Sequence, residues 1–312
     1  MDIILTLTMN PSIDKSSQVD CVVPDRKLRC SPPAFEPGGG GINVSRAIRK
    51  LNGGSLAMFP AGGPPGDMLL ELLDKEGVEH QRVKIDGWTR ENLMVYDETA
   101  DQQFRFGMPG PEIGEWKSCL EALAHTRPKP AYIVASGSLP RGVPEDFYAM
   151  VADIAKELNS KLILDTSGQA LQKAVHSGIY MIKPNLREFR NLSGEDLESE
   201  EQQKEFARDL IERGHCQIIM VSLGAGGAML VWKDGYEKLG APTVKIRSKV
   251  GAGDSMVAGM VLSLARNRPL PEAARFAIAA GAAAVMTPGS ELCRREDAER
   301  LYKSISVYDS AA

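Results

Sequence analysis

The sequence predicts an α/β fold: a mostly parallel central sheet between layers of helices (a three-layer α/β/α arrangement), with a small separate β-sheet beside it. Three features predict it. Short apolar, β-rich runs alternate with segments of helical period along most of the chain. The runs are apolar throughout rather than at every second residue, as strands covered on both faces are. Two stretches, about 12–35 and 89–107, lack helical period and interrupt the series.

The elements follow in order. "IILTLT" (3–8) is the first strand. After the glycine run at 38–41, Val44, Ala47, Ile48 and Leu51 fall at i, i+3, i+4, i+7 and predict a helix. "SLAMFP" (55–60) is a strand, and Met68, Leu69, Leu72 and Leu73 mark the next helix. "ENLMVYDETADQQFRFGM" has an apolar strand, a polar turn and a second apolar strand, a hairpin pattern. "AYIVAS" (131–136) precedes a helix carried by Phe147, Met150, Val151, Ile154 and Leu158. "KLILD" (161–165), "YMIK" (180–183) and "QIIMVS" (217–222) continue the sheet, and "GAMLVW" and "TVKIRS" are expected as further strands. Helical runs then extend from Asp254 to about Met286, with a last helix from about Arg295. No internal repeat appears, and "SPPAFEPGGGG" is a loop between insertion and core, not a linker. The expectation is one domain, 1–312, with a lid over the main sheet built from the two insertions. Such a lid has apolar faces and edges that chains commonly cover by dimerising.

Bulk properties exclude several classes. The chain has 312 residues, 43% hydrophobic and 25% charged, enough for a full core. Its net charge of −4 offers no footprint for nucleic acid or an anionic membrane. An anionic substrate must be held by a few local basic residues. The five cysteines form no CxxC or Cys/His cluster, which points to reduced thiols rather than disulfides or zinc. The first residues resemble no signal peptide, and no 18-residue apolar stretch occurs, so a cytoplasmic location is expected.

The chemistry concentrates at "KVGAGDSMVAGMVLSLAR" (249–266), a Gly-Ala-Gly turn entering a helix at Asp254. A helix start leaves N–H groups free and carries partial positive charge, and glycines let a phosphoryl group come close. Asp254 beside that group would accept a proton from an attacking hydroxyl. It would equally serve as a plain N-cap. No Walker A loop and no GxGxxG after the first strand are present. Chemistry alone leaves phosphoryl transfer and a structural turn both open.

Five motifs in order, "GGGGIN" near residue 40, "SGSLP" (136–140), "KPN" followed by Glu188, "SLGAGGA" (222–228) and "VGAGDSM" (250–256), resemble the ribokinase family, and within it the phosphofructokinase-B branch of carbohydrate kinases. The resemblance implies a ribokinase-like fold with a β lid and an ATP-dependent sugar kinase using Mg²⁺. It implies Asp254 as general base, and the amides of Gly251, Ala252 and Gly253 as the anion hole for the transferring phosphoryl. Asn185 and Glu188 match the family's Asn-x-x-Glu motif, which helps organise Mg²⁺ and the phosphates, although the same pair makes an ordinary capping box. Lys183 would approach the phosphates. Ser222, Gly224 and Gly227 would border the nucleotide, with the helix ending near Pro288-Gly289 as the adenine wall. Gly38, Gly39, Asn43 and Asp14 would touch the sugar, so the glycine run would mark close backbone approach to it.

A phosphosugar needs cations that a free sugar does not. The resemblance assigns Arg90 to the sugar phosphate, with Ser138, Lys27 and Arg29 as further candidates and Lys27 reaching across a lid-mediated homodimer. The branch's fructose-1-phosphate kinases commonly carry a lysine within the glycine motif. The unbroken "GGGG" here therefore favours fructose-6-phosphate, phosphorylated at its C1 hydroxyl. Tagatose-6-phosphate and fructose-1-phosphate remain alternatives, and a non-catalytic binder would not need a base at Asp254. The family tends to carry Asp-Thr or Ser-Thr before this turn, a pair that helps bind a monovalent cation. Ser248-Lys249 stands here, and low dependence on K⁺ is expected.

Overall fold

The computed structural model describes residues 2–309. In chain order the strands are β1 (Ile4–Leu7), β2 (Ser12–Val19), β3 (Ala34–Gly38), β4 (Leu56–Ala61), β5 (Glu79–Lys84), β6 (Arg90–Asp97), β7 (Gln102–Phe106), β8 (Tyr132–Ser136), β9 (Lys161–Asp165), β10 (Ile179–Ile182), β11 (Cys216–Ser222), β12 (Ala228–Trp232) and β13 (Gly235–Leu239). The helices are α1 (Gly40–Lys50), α2 (Gly63–Glu76), α3 (Trp116–Ala124), α4 (Phe147–Leu158), α5 (Gly168–Ala174), α6 (Leu186–Ser193), α7 (Glu200–Glu212), α8 (Ala252–Ala265), α9 (Leu270–Val285) and α10 (Arg295–Asp309).

Nine strands form the main sheet in the order β13-β12-β11-β10-β9-β8-β1-β4-β5. All neighbours from β11 to β5 run parallel, and β12 and β13 add an antiparallel edge. Continuous apolar strands fit this placement because successive side chains enter opposite cores. Ile4, Val134, Ile163 and Met181 pack under α1, α8, α9 and α10, while Leu5, Ile133, Leu162 and Ile182 pack under the layer containing α3, α4 and α7. Strand order reverses beside β1, with β8 on one flank and β4 on the other. In open α/β sheets that switch point, at the carboxyl ends of the strands, opens a crevice for ligands.

The two aperiodic stretches form the expected second sheet, of order β3-β2-β6-β7. β2 and β6 pair in parallel, and β6 and β7 form the predicted hairpin. Asp97 pins its turn by accepting from Ala100 N and Val22 N, both at 2.8 Å. Ile13 of the lid packs with Ile42, Phe59 and Leu69 in a third core that roots lid and α2 together.

Two expectations fail. "SPPAFEPGGGG", expected as a loop, contributes β3, which pairs antiparallel with β2 because its alternate residues fit the lid. "TVKIRS" (243–248) is not in a sheet; the edge strand is β13, "GYEKL". The alternating Val244 and Ile246 instead line a cavity, and Arg247 N bonds Val285 O at the end of α9, 2.7 Å away. The helix of Asp254 also begins earlier than expected, at Ala252.

Candidate active site

The residues singled out above converge at the carboxyl ends of β1, β8, β9, β10 and β11, below the lid. Gly251 is the N-cap of α8 at φ 71°, which places Asp254 in the first turn rather than at the cap. No side chain caps this helix, so its first amides remain available to an anion. Burial pushes the Asp254 carboxyl up to about 7, with Asp165 adding repulsion. The amide of Asn43, donating to Asp254 Oδ2 at 2.9 Å, and the ammonium of Lys183 oppose that rise, while Asp14 adds to it. A carboxylate poised near neutrality suits a general base.

Lys183 is buried and pairs with Asp165 at 3.1 Å. Burial alone would lower its pKa, but Asp165, Asp254 and Glu188 raise it, so the ammonium stays charged. Asp165 was not anticipated from the sequence. Its signal was position: a carboxylate ending the parallel strand "KLILD" faces the crevice.

Asn185 and Glu188 form the reciprocal capping box of α6, with both bonds at 2.9 Å. The capping reading is therefore met. Glu188 uses Oε2 for the cap, which leaves Oε1 for an ion or its water. Among the described residues no group of three His, Cys, Asp or Glu is arranged to hold a metal. An oxygen-only donor set of this kind fits Mg²⁺, which keeps waters and leans on substrate phosphates.

On the sugar side, Ser12 Oγ and Asn92 Nδ2 each donate to Asp14 Oδ1 at 2.8 Å, which leaves Oδ2 free to face a ligand. Gly38 lies against this carboxylate; a Cβ there would meet Asp14 Cγ at 2.6 Å. Arg90, at the start of β6, donates to Asn10 O at 3.0 Å and Met108 O at 3.3 Å. Asn10 Nδ2 donates to Ser138 Oγ at 3.2 Å. Arg90, Asn10 and Ser138 thus form one cluster. Arg90 Nε and Asn10 Oδ1 are buried without partners, as polar atoms reserved for a polar ligand are. Burial lowers the Arg90 pKa and Asp14 supports the charge. Asn10 and Asn92 were also missed in the sequence; each is a polar residue at the mouth of a strand.

Three expectations are refined. Gly40 and Gly41 approach protein: Cβ atoms there would lie 2.4 Å from Ser136 Oγ and 2.7 Å from Leu7 O. Gly38 and Gly39 are also close to protein, Gly38 to Ser12 and Asp14 and Gly39 to Thr8 and Pro11. Lys27 and Arg29 are exposed between β2 and β3 and make none of the site's hydrogen bonds or ion pairs. The helix expected to end near Pro288-Gly289 is α9, which ends at Val285. It borders a cavity of about 570 Å³ beside α8, with Ser222, Gly224, Gly227, Lys249, Gly253 and Val285 among its lining.

The polar groups of Asp14, Asn43 and Arg90 lie on one side of an open helix start and an apolar cavity on the other, with the buried carboxyl of Asp254 between them. On a ribokinase-like fold, that defines a sugar kinase. The family model described as pfkB family carbohydrate kinase matches residues 7–297, and the chain belongs to that family. It is 42% identical over 302 residues to ATP-dependent 6-phosphofructokinase isozyme 2 of Mycobacterium tuberculosis, covering 96% of this chain and 89% of the relative. The crystal structure of phosphofructokinase-2 from Escherichia coli in complex with potassium matches with a TM-score of 0.94 and 40% identity, over 98% of this chain and 100% of that one. The same enzyme in complex with fructose-6-phosphate matches with a TM-score of 0.92 and 39% identity, over the same shares.

Proposed function

We propose that the protein is an ATP-dependent 6-phosphofructokinase, transferring the γ-phosphoryl group of ATP to the C1 hydroxyl of fructose-6-phosphate. The observation that carries this is the placement of Asp254. It stands in the first turn of an uncapped helix, between the nucleotide cavity and a cleft holding Asp14 and the unpartnered Nε of Arg90.

Asp254 takes the C1 hydroxyl proton as the oxygen attacks the γ-phosphorus. The new O–P bond forms while the bond to the β-phosphate oxygen breaks, and ADP leaves. The amides of Gly251, Ala252 and Gly253 receive the charge on the transferring group, and they need no rearrangement to do so. Lys183 adds a fixed cation. Asp14 and Asn43 orient the sugar hydroxyls, and Arg90 with Ser138 and Asn10 holds the 6-phosphate at the lid. Glu188, supported by Asn185, would hold Mg²⁺ through water. When bound, that ion neutralises phosphate charge.

The lid also supports a homodimer. Trp88, Phe106 and Met108, on and beside it, are exposed at 66%, 47% and 46%, an apolar surface that a second copy would cover. Lys27 and Arg29 lie on the other insertion, between β2 and β3, and Lys27 would reach the partner's sugar phosphate. Among the described residues no helix is long and apolar enough to cross a membrane. A cytoplasmic location is proposed for the enzyme.

The test is a kcat/KM panel with MgATP and fructose-6-phosphate, tagatose-6-phosphate, fructose-1-phosphate and fructose. Clear preference for fructose-6-phosphate is expected. Preference for another phosphosugar would keep the mechanism and change the substrate, and no turnover would sink the reading.

A further inference from the structure

Arg46 of α1 is the largest fully buried side chain among the described residues, 1% exposed. Its guanidinium is held on every edge. Nε donates to Glu76 Oε2 at 2.8 Å and Nη2 to Glu76 Oε1 at 2.7 Å, a bidentate pair. Nη2 also reaches Glu36 Oε1 of the lid strand β3 at 3.4 Å. Nη1 donates to Pro37 O at 2.9 Å, to Ser290 O at 3.3 Å and to Asn43 Oδ1 at 3.3 Å. Ser290 Oγ in turn donates to Glu36 Oε2 at 2.6 Å. One cation therefore ties together α1, the end of α2, the lid and the loop after α9.

The contact with Asn43 has a polarity. An arginine can only donate, so Asn43 must turn its carbonyl oxygen toward Arg46. The amide nitrogen is left facing Asp254 Oδ2, at 2.9 Å. Were Asn43 reversed, two acceptors would meet unless Asp254 carried a proton, and a protonated Asp254 is no base. Asn43 and Arg46 are three residues apart on α1, the spacing that puts them on one face.

We propose that Arg46 is a positioning residue for the catalytic base: it fixes the amide of Asn43 so that nitrogen, not oxygen, faces Asp254. The inference rests on Asp254 being the base. The other charged groups facing Asp254 are Asp165 at the end of β9, Lys183 after β10 and Asp14 of β2, and none touches Arg46.

The test compares wild type with Arg46→Lys, which keeps the charge and loses the planar fork. Thermal melting, kcat, both KM values and the pH dependence of kcat/KM are measured, all well below the melting temperature. The expected result is a fall in kcat of about 10–100-fold, smaller than the roughly 10²–10⁴ that losing the base itself would cost. Both KM values should stay within about threefold, and the acid limb should move to higher pH because the bond from Asn43 is loosened. A folded variant with lower melting temperature but unchanged kcat and acid limb would show a structural role only and overturn the proposal. If Arg46→Lys does not fold, Glu76→Gln replaces it, since Glu76 anchors the guanidinium without touching Asn43. The same upward shift in smaller measure supports the proposal, and an unmoved limb in folded Glu76→Gln overturns it. Wild type without turnover on any phosphosugar refutes the kinase reading and the inference together; active wild type with an unmoved variant refutes the inference alone.

Discussion

Helices α1 and α8 both start at a glycine of positive φ, Gly39 at 111° and Gly251 at 71°, and neither has a side-chain cap. The starts are built for opposite purposes. At α1 the backbone is spent inside the protein: Ile42 N donates to Thr8 Oγ1 at 2.8 Å, and Gly40 and Gly41 press on Ser136 and Leu7. At α8 the first turn is open: a Cβ on Gly253 would meet only Lys183 Nζ, at 3.6 Å. Glycines at a helix start thus mark a packing joint in one place and, in the proposed mechanism, an anion site in the other. The two starts meet through the bond from Asn43 to Asp254, which joins sugar side to nucleotide side.

The most severe way to break the α8 half is Asp254→Asn. It should lower kcat by about 10²–10⁴ while both substrates still bind. A variant keeping more than half its activity would make Asp254 a structural residue. The same substitution should stabilise the unliganded protein. The folded pKa, about 7, lies above the ordinary 3.8, so the folded state holds the proton more tightly. Stability is therefore greatest below about 3.8 and is lost as pH rises toward 7, by a few kcal/mol at about 1.4 kcal/mol per unit. Melting at pH 8 should show Asp254→Asn above wild type, with the gain gone near pH 4.

Paired glycine substitutions sharpen the comparison further. Gly253→Ala should hold or raise the melting temperature, since alanine favours helix by up to about 1 kcal/mol. It should cut kcat/KM by roughly tenfold or more by crowding the phosphoryl group. Gly41→Ala should instead cost about 1–3 kcal/mol of stability through overpacking against Leu7 O. Equal effects on melting from the two would erase the distinction. Arg90→Ala should chiefly raise KM for the phosphosugar, about tenfold for a lost charged hydrogen bond. An unchanged KM would move the phosphate elsewhere. The smallest effect concerns the cation: Lys249 lines the nucleotide cavity. Replacing Na⁺ by K⁺ at equal ionic strength should change kcat by less than about twofold, the charge of Lys249 standing in for the ion. Strong K⁺ activation would refute that.

Much of this was legible in the sequence for definite reasons. Burial on both faces wrote the parallel strands as continuous apolar runs, and the lid showed itself by breaking the period. The polar edge strand β5, "EHQRVK", left no such trace, because one side of it pairs only with β4 and its side chains are mostly half-exposed. "TVKIRS" misled because alternation fits a cavity wall as well as a pleat. At the site, Asp254 was raised by the glycine turn entering a helix and given its role by motif resemblance, which also supplied Asn43, Asp14 and Arg90. Asp165 and Asn10 needed the topology that brings strand ends together. Arg46 left no trace, because it stands off the stripe of Val44, Ala47, Ile48 and Leu51, and its partners at 36, 76 and 290 are known only once the chain is folded.

The walls of the nucleotide cavity have a metabolic implication. Apart from Ser222, Thr243 and Lys249, its lining is aliphatic or glycine. Such a surface measures the thickness and outline of a base and has few groups with which to question its edge. A hydrophobic pocket rejects an isostere weakly. Purine triphosphates other than ATP are therefore expected to be accepted as donors, so the cell's choice of ATP would come from its abundance rather than from discrimination by the protein.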